Sequence, residues 1–94
     1  MNLNISLEEM RLMLRISHNL IDAELETLKA SFLEDLAMCG VTHIPDNDSL
    51  VKSCLRMYLR WQENYNGEAD RYKEAYTGLK IAMSLAEEYR EVTP

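Results

Sequence analysis

The chain has 94 residues, 47% of them apolar and 28% charged, with only three Gly and two Pro. That composition excludes a disordered segment and bounds the answer to one domain, residues 1–94, with a modest core and few turns, hence long helices. Sixteen acidic against ten basic side chains leave a net charge of −6 and a pI of 4.8, which argues against nucleic-acid binding carried by overall charge but not against a local basic stripe.

The expected fold is all-α, a small bundle with one short N-terminal helix and three longer ones, at about 7–15, 20–39, 49–65 and 68–89. Ser6, with Glu9 three residues on, is a capping-box signature that starts the first helix at Leu7. Leu7, Met10, Met13 and Leu14 share a face, and two turns are too few to stand without docking on something. Asn19 and Asp22 form a cap signal for the second helix. Its apolar positions Ile21, Leu25, Leu28, Phe32, Leu36 and Cys39 make a narrow seam toward one partner, while Asp22, Glu24 and Glu26 sit at the positive end of its dipole. Gly40 is a left-handed stop. VTHIPDND (41–48) is a connection, and Asp48 or Asn47 caps the next helix.

The third helix carries the only Trp and the clearest two-faced pattern. At about 100° per residue, Leu50, Val51, Cys54, Met57, Tyr58, Trp61 and Tyr65 fall in one arc, with Lys52, Arg56, Arg60 and Glu63 opposite. Asn66-Gly67 ends it, and the short break makes helices 3 and 4 antiparallel neighbours. The fourth helix turns Tyr72, Ala75, Tyr76, Leu79, Ala82, Met83 and Ala86 inward. Ile81 and Leu85 point the other way, which is either an ordinary pair of surface apolar residues or a subunit contact. The tail 90–94 has no pattern and is either frayed or used in docking. The core is expected to contain Leu25, Leu28, Phe32, Leu36, Cys54, Tyr58, Trp61, Tyr72, Leu79 and Met83.

No constellation calls for catalysis. His18 and His43 fall in loops without metal-ligand spacing, and Cys39, His43 and Cys54 match no standard zinc pattern, so no catalytic residue, metal or cofactor is expected. Cys39 and Cys54 are expected as buried free thiols. Adjacent acids such as Glu87-Glu88 splay about 100° apart on a helix and suit a solvated face. Lys52, Arg56 and Arg60 form a basic ridge, read either as a solvated face or as a contact for DNA phosphates or an acidic partner. The aromatics near the helix 3–4 junction are read as core. With neither an apolar run long enough to span a membrane nor a signal-peptide pattern in MNLNISLEEMRL, no membrane association is expected and a cytoplasmic setting is the default.

The segments SLEEMRLMLRI, IDAELETLKASFLEDLAMCGV, DSLVKSCLRMYLRWQENY and DRYKEAYTGLKIAMSLAEEYRE follow one another in an order and at lengths that span nearly the whole chain. In this arrangement the sequence resembles the small phage head-tail connector proteins, also described as DNA-packaging adaptors, of long-tailed phages and of prophages in Gram-positive bacteria. The resemblance implies a structural virion-assembly protein rather than an enzyme, an α-helical subunit that forms a ring beneath the portal. Its partners would be copies of itself, the portal protein and neighbouring head-completion or tail proteins. DNA would pass through without being specifically bound, and the protein would act in the host bacterial cytoplasm during assembly and at the virion head-tail junction. There is little room between helices 2 and 3 for the extended docking arm of longer members. The alternative is a small helical nucleic-acid-binding or regulatory module using Lys52, Arg56 and Arg60.

Overall fold

A computed structural model of the chain describes residues 2–91. Its elements are α1 (Leu7–Met13), α2 (Asp22–Met38), α3 (Ser49–Gln62) and α4 (Ala69–Ser84), with single 3-10 turns at Tyr65–Gly67 and Glu87–Tyr89 and no strand among the described residues.

Local chemistry sets most of the boundaries. The Ser6 side chain accepts the Glu9 N–H at 3.1 Å, and the Asp48 carboxylate accepts the Val51 N–H at 3.0 Å, so both helices begin where their caps stand. α2 ends in a Schellman turn in which Val41 N–H returns to the Leu36 carbonyl and Gly40 takes φ +94°, a region open to glycine at little cost. α1 ends in the same motif two residues earlier than expected. Ile16 N–H donates to Arg11 and Arg15 N–H to Leu12, but the left-handed position, φ +56°, is held by Arg15 instead of glycine. Asn19 does not cap α2, which starts two residues later than expected. Ile21 stands at that position without a side-chain bond, while Asp22 turns to α1 and takes two bonds from Arg11, at 2.9 and 2.5 Å.

α3 is the hub. α2 runs antiparallel along one side, with the Phe32 and Tyr58 rings 5.6 Å apart. α4 returns antiparallel along another, bringing Tyr76 to Tyr58 at 5.1 Å and Tyr72 to Tyr65 at 5.9 Å. α1 lies across a third. Covered this widely, α3 buries Val51, Cys54, Leu55, Tyr58 and Leu59. Leu55 and Leu59 fall outside the apolar arc read from the sequence. Leu50, Met57, Trp61 and Tyr65 are only half-buried at its edge.

Of the expected core, Leu25, Phe32, Leu36, Cys54, Tyr58 and Met83 are buried, and Leu28, Trp61 and Leu79 pack against them half-buried. Tyr72 instead stacks on Tyr65 at the rim. Ala75 and Ala82 are exposed rather than inward, and Cys39 is only half-buried. The segment before α1 adds Leu3 and Ile5 to the core, tied down where Lys29 Nζ donates to the Ile5 carbonyl at 3.0 Å.

α4 stops at Ser84, five residues short of the expected end. Arg90 caps the Ser84 carbonyl at 2.7 Å, and Ala86 is extended. The break lets Tyr89 swing into the core beside the 41–48 connection. There its carbonyl accepts the Thr42 and His43 N–H groups at 2.9 and 3.0 Å, and its hydroxyl donates to Asp48 at 2.8 Å. The Glu91 N–H donates to Thr42 Oγ1 at 2.9 Å, so the tail docks this far, and residues 92–94 lie outside the described part. None of the described helices is long and apolar enough to cross a membrane.

Candidate functional site

The outer face of α4 presents Ala75, Gly78, Ile81, Ala82 and Leu85, all exposed, at helical spacings of three, three, one and three. Ile81 is 50% and Leu85 76% exposed. A side chain grown from Gly78 would meet nothing within 4 Å. The stripe is apolar, low in its middle and high at its C-terminal end, where the helix breaks and the exposed Glu87 and Glu88 follow. A face of this kind is suited to packing against another helix or chain.

The ridge of Lys52, Arg56 and Arg60 is not a uniform solvated stripe. Arg60 Nε donates to the Met13 carbonyl at 2.9 Å, closing the C-terminus of α1 onto α3, and its guanidinium lies 4.5 Å from the Tyr65 ring centre and 5.6 Å from that of Tyr72. Lys52 Nζ donates to Asn47 Oδ1 at 2.6 Å and pairs with Glu9 at 3.7 Å. The basic face of α3 is thus largely the seat of α1. Arg56 alone of the three is exposed and makes no such bond among the described residues, and it lines a shallow groove with Glu9, Leu12, Met13, Arg15 and Arg60. Arg15 was not singled out by helical phase, because it belongs to the turn after α1.

Between α2 and α4 the Tyr76 hydroxyl donates to Asp35, which also accepts from Lys80 Nζ at 3.0 Å. Burial alone would raise the Asp35 pKa, yet the bonds from Tyr76 and Lys80 outweigh it and hold the carboxyl below its usual range. Burial, then the same carboxylate, pushes the Tyr76 hydroxyl well above the phenol range. Burial pushes the Cys54 thiol up to about 12, which leaves it protonated and unreactive near neutral pH. Tyr76, Asp35 and Lys80 are satisfied by one another, so the network reads as a clamp between α2 and α4.

His18 Nδ1 accepts the Leu20 N–H at 3.3 Å, and His43 is exposed in the connection. Cys39, His43 and Cys54 do not converge, and no group of three or more His, Cys, Asp or Glu that could hold a metal ion occurs among the described residues. At the C-terminal end of α3 the Glu63 carboxyl lies beside Glu24. One of its oxygens is buried without a partner, and burial, then Glu24, raises its pKa to about 7. Among the described residues the outward-facing features include an apolar stripe on α4, an arginine-lined groove on α1 and α3, and the single exposed side chains Leu20, just before α2, and Met38, at its end. No protein family, curated protein or solved structure was found to match this chain.

Proposed function

We propose that this chain is a structural assembly subunit of the kind set at the head-tail junction of a phage or prophage, forming a ring beneath the portal around the path of the DNA. The observation that carries the reading is the outer stripe of α4, where Ile81 and Leu85 stand exposed above Ala75, Gly78 and Ala82 on one helix face, whereas the other exposed large apolar side chains, Leu12, Leu20 and Met38, stand singly on different elements. The order of sequence segments described above supports the same class. A net charge of −6 suits a conduit that releases DNA rather than grips it. The alternative, a nucleic-acid-binding module on the α3 ridge, is less well supported, because Arg60 is spent on holding α1 and Lys52 is bonded to Asn47 and paired with Glu9.

The test is co-sedimentation and negative-stain microscopy of the full chain across a concentration series, alone and mixed with a portal ring from the same genome. Rings or portal-bound particles are expected, and Ile81→Glu with Leu85→Glu should remove them while leaving the helical circular dichroism intact. A chain that stays monomeric at every concentration and ignores the portal would overturn the reading. Salt-dependent duplex binding lost on Arg56→Glu would favour the alternative.

A further inference from the structure

Among the described residues every Lys and Arg except Arg15 and Arg56 either donates a hydrogen bond within the chain or lies over an aromatic ring. The two exceptions are both exposed, and both line the same shallow groove as the exposed Leu12, which shows 69% of its surface. On a chain of net charge −6, this groove holds three guanidiniums, those of Arg15, Arg56 and Arg60, against one carboxylate, Glu9, which pairs with Lys52 at 3.7 Å, so its local charge is opposite to that of the chain.

Arg15 adds a second observation. It sits at φ +56° in the turn where α2 uses Gly40, and the other non-glycine residues at positive φ are Asn47, Asn64 and Asn66. Asparagine tolerates that region through local hydrogen bonding, whereas the Cβ of another residue there costs about 1–2 kcal/mol. Nothing inside the chain is gained from the Arg15 guanidinium, so the strain points to a use outside it.

The counterpart of this groove lies on the same chain. At the end of α4, Ile81 and Leu85 are followed by exposed Glu87 and Glu88, which lie in the 3-10 turn whose last residue, Tyr89, is buried and bonded to Asp48. One surface is aliphatic with two unengaged guanidiniums, its one carboxylate, Glu9, being paired with Lys52, and the other is aliphatic with two carboxylates. We propose that the occupant of the Leu12, Arg15 and Arg56 groove is the α4 end of a second copy, with Leu85 and Ile81 against Leu12 and with Glu87 and Glu88 facing Arg15 and Arg56. The two surfaces differ, so the contact is heterologous: each copy offers its α4 end to the next and keeps a free groove, which propagates into a ring when the rotation closes. This deepens the assembly reading above and rests on it. Duplex DNA is the poorer occupant, since Leu12 offers no hydrogen-bond donor to a phosphate held against it and the Glu9 carboxylate in the same groove repels one.

The experiment is sedimentation velocity on the full chain at low and high salt, with two charge-reversed variants, Arg15→Glu/Arg56→Glu and Glu87→Arg/Glu88→Arg. Each variant alone should associate about tenfold or more weakly than the unaltered chain, because both of its faces then carry one sign. An equimolar mixture of the two should recover association, since each supplies the face that the other has lost, and the chain carrying all four changes should recover it unaided. If either reversal disturbs the circular dichroism, the neutral pairs Arg15→Gln/Arg56→Gln and Glu87→Gln/Glu88→Gln take their place, with weakened association expected from each. Association that ignores these changes, or fails to return in the mixture, overturns this interface while leaving the assembly reading intact. An unaltered chain that never associates overturns both. Binding of a DNA duplex that requires Arg15 and Arg56, with assembly unaffected by them, transfers the groove to nucleic acid and also overturns the proposal.

Discussion

The Glu63 carboxyl gives the most direct test of the electrostatics of this bundle. Burial at the end of α3, and then the Glu24 carboxyl beside it, raises its pKa from an ordinary 4.5 to about 7, so the folded chain holds its proton more tightly than the unfolded chain does. The neutral form is the one the fold accommodates. Its contribution is complete below pH 4.5, where both states are protonated, and is lost as the pH rises through 7, where folding must either strip the proton or carry a second charge next to Glu24. The full difference corresponds to at most about 3–4 kcal/mol, and water reaching the accessible part of the carboxyl reduces this to about 1–2 kcal/mol. The expected outcome in urea unfolding is a stability that falls by that amount between pH 4.5 and about 8, and a Glu63→Gln variant, neutral and of the same shape, whose stability lacks this fall. Glu24→Gln should shrink the slope without removing it, because burial is the larger cause. Parallel pH profiles for the unaltered chain and Glu63→Gln would refute the reasoning.

Arg60→Ala, which removes a charged hydrogen bond to the Met13 carbonyl and the stacking on Tyr65, should cost about 2 kcal/mol in thermal or urea unfolding, whereas Arg56→Ala should stay within about 0.5 kcal/mol. Tyr89→Phe deletes the bond to Asp48 and should cost about 1 kcal/mol, with faster amide exchange at Thr42 and His43 as the local readout. Phe32→Ala removes a fully buried ring packed on Tyr58 and Tyr76 and should cost about 3–5 kcal/mol, enough to leave a domain of this size largely unfolded by circular dichroism. Arg15→Gly relieves the left-handed strain against a smaller entropic loss and should raise stability by about 0.5–1 kcal/mol in the same assay.

How much of this was legible in the sequence varies by residue. Ser6, Asp48 and Gly40 marked helix ends correctly because a cap or a left-handed stop acts within a few residues of itself. Ile81 and Leu85 could be placed outside by phase alone, since one helix axis decides where they point. Leu3 and Ile5 had a weaker signal, the alternation in NLNIS, that a search for helical period passes over. The fate of Lys52 and Arg60 was not legible at all. Their phase said only that they lay opposite the aromatic side of α3, and that direction proved to be occupied by α1.

Periodicity, capping chemistry and composition, all properties of neighbours along the chain, by themselves determined an all-helical bundle of four helices and the two-faced character of α3. Contacts between residues far apart decided the rest: Arg60 reaching Met13 across 47 positions, Tyr89 breaking α4 to meet Asp48 across 41, and Arg15 coming to lie beside Arg56. The physical reason is that a helix's own spacing fixes which side chains share a face, while which faces are covered depends on how the helices dock, a balance of burial and pairing that local spacing does not encode.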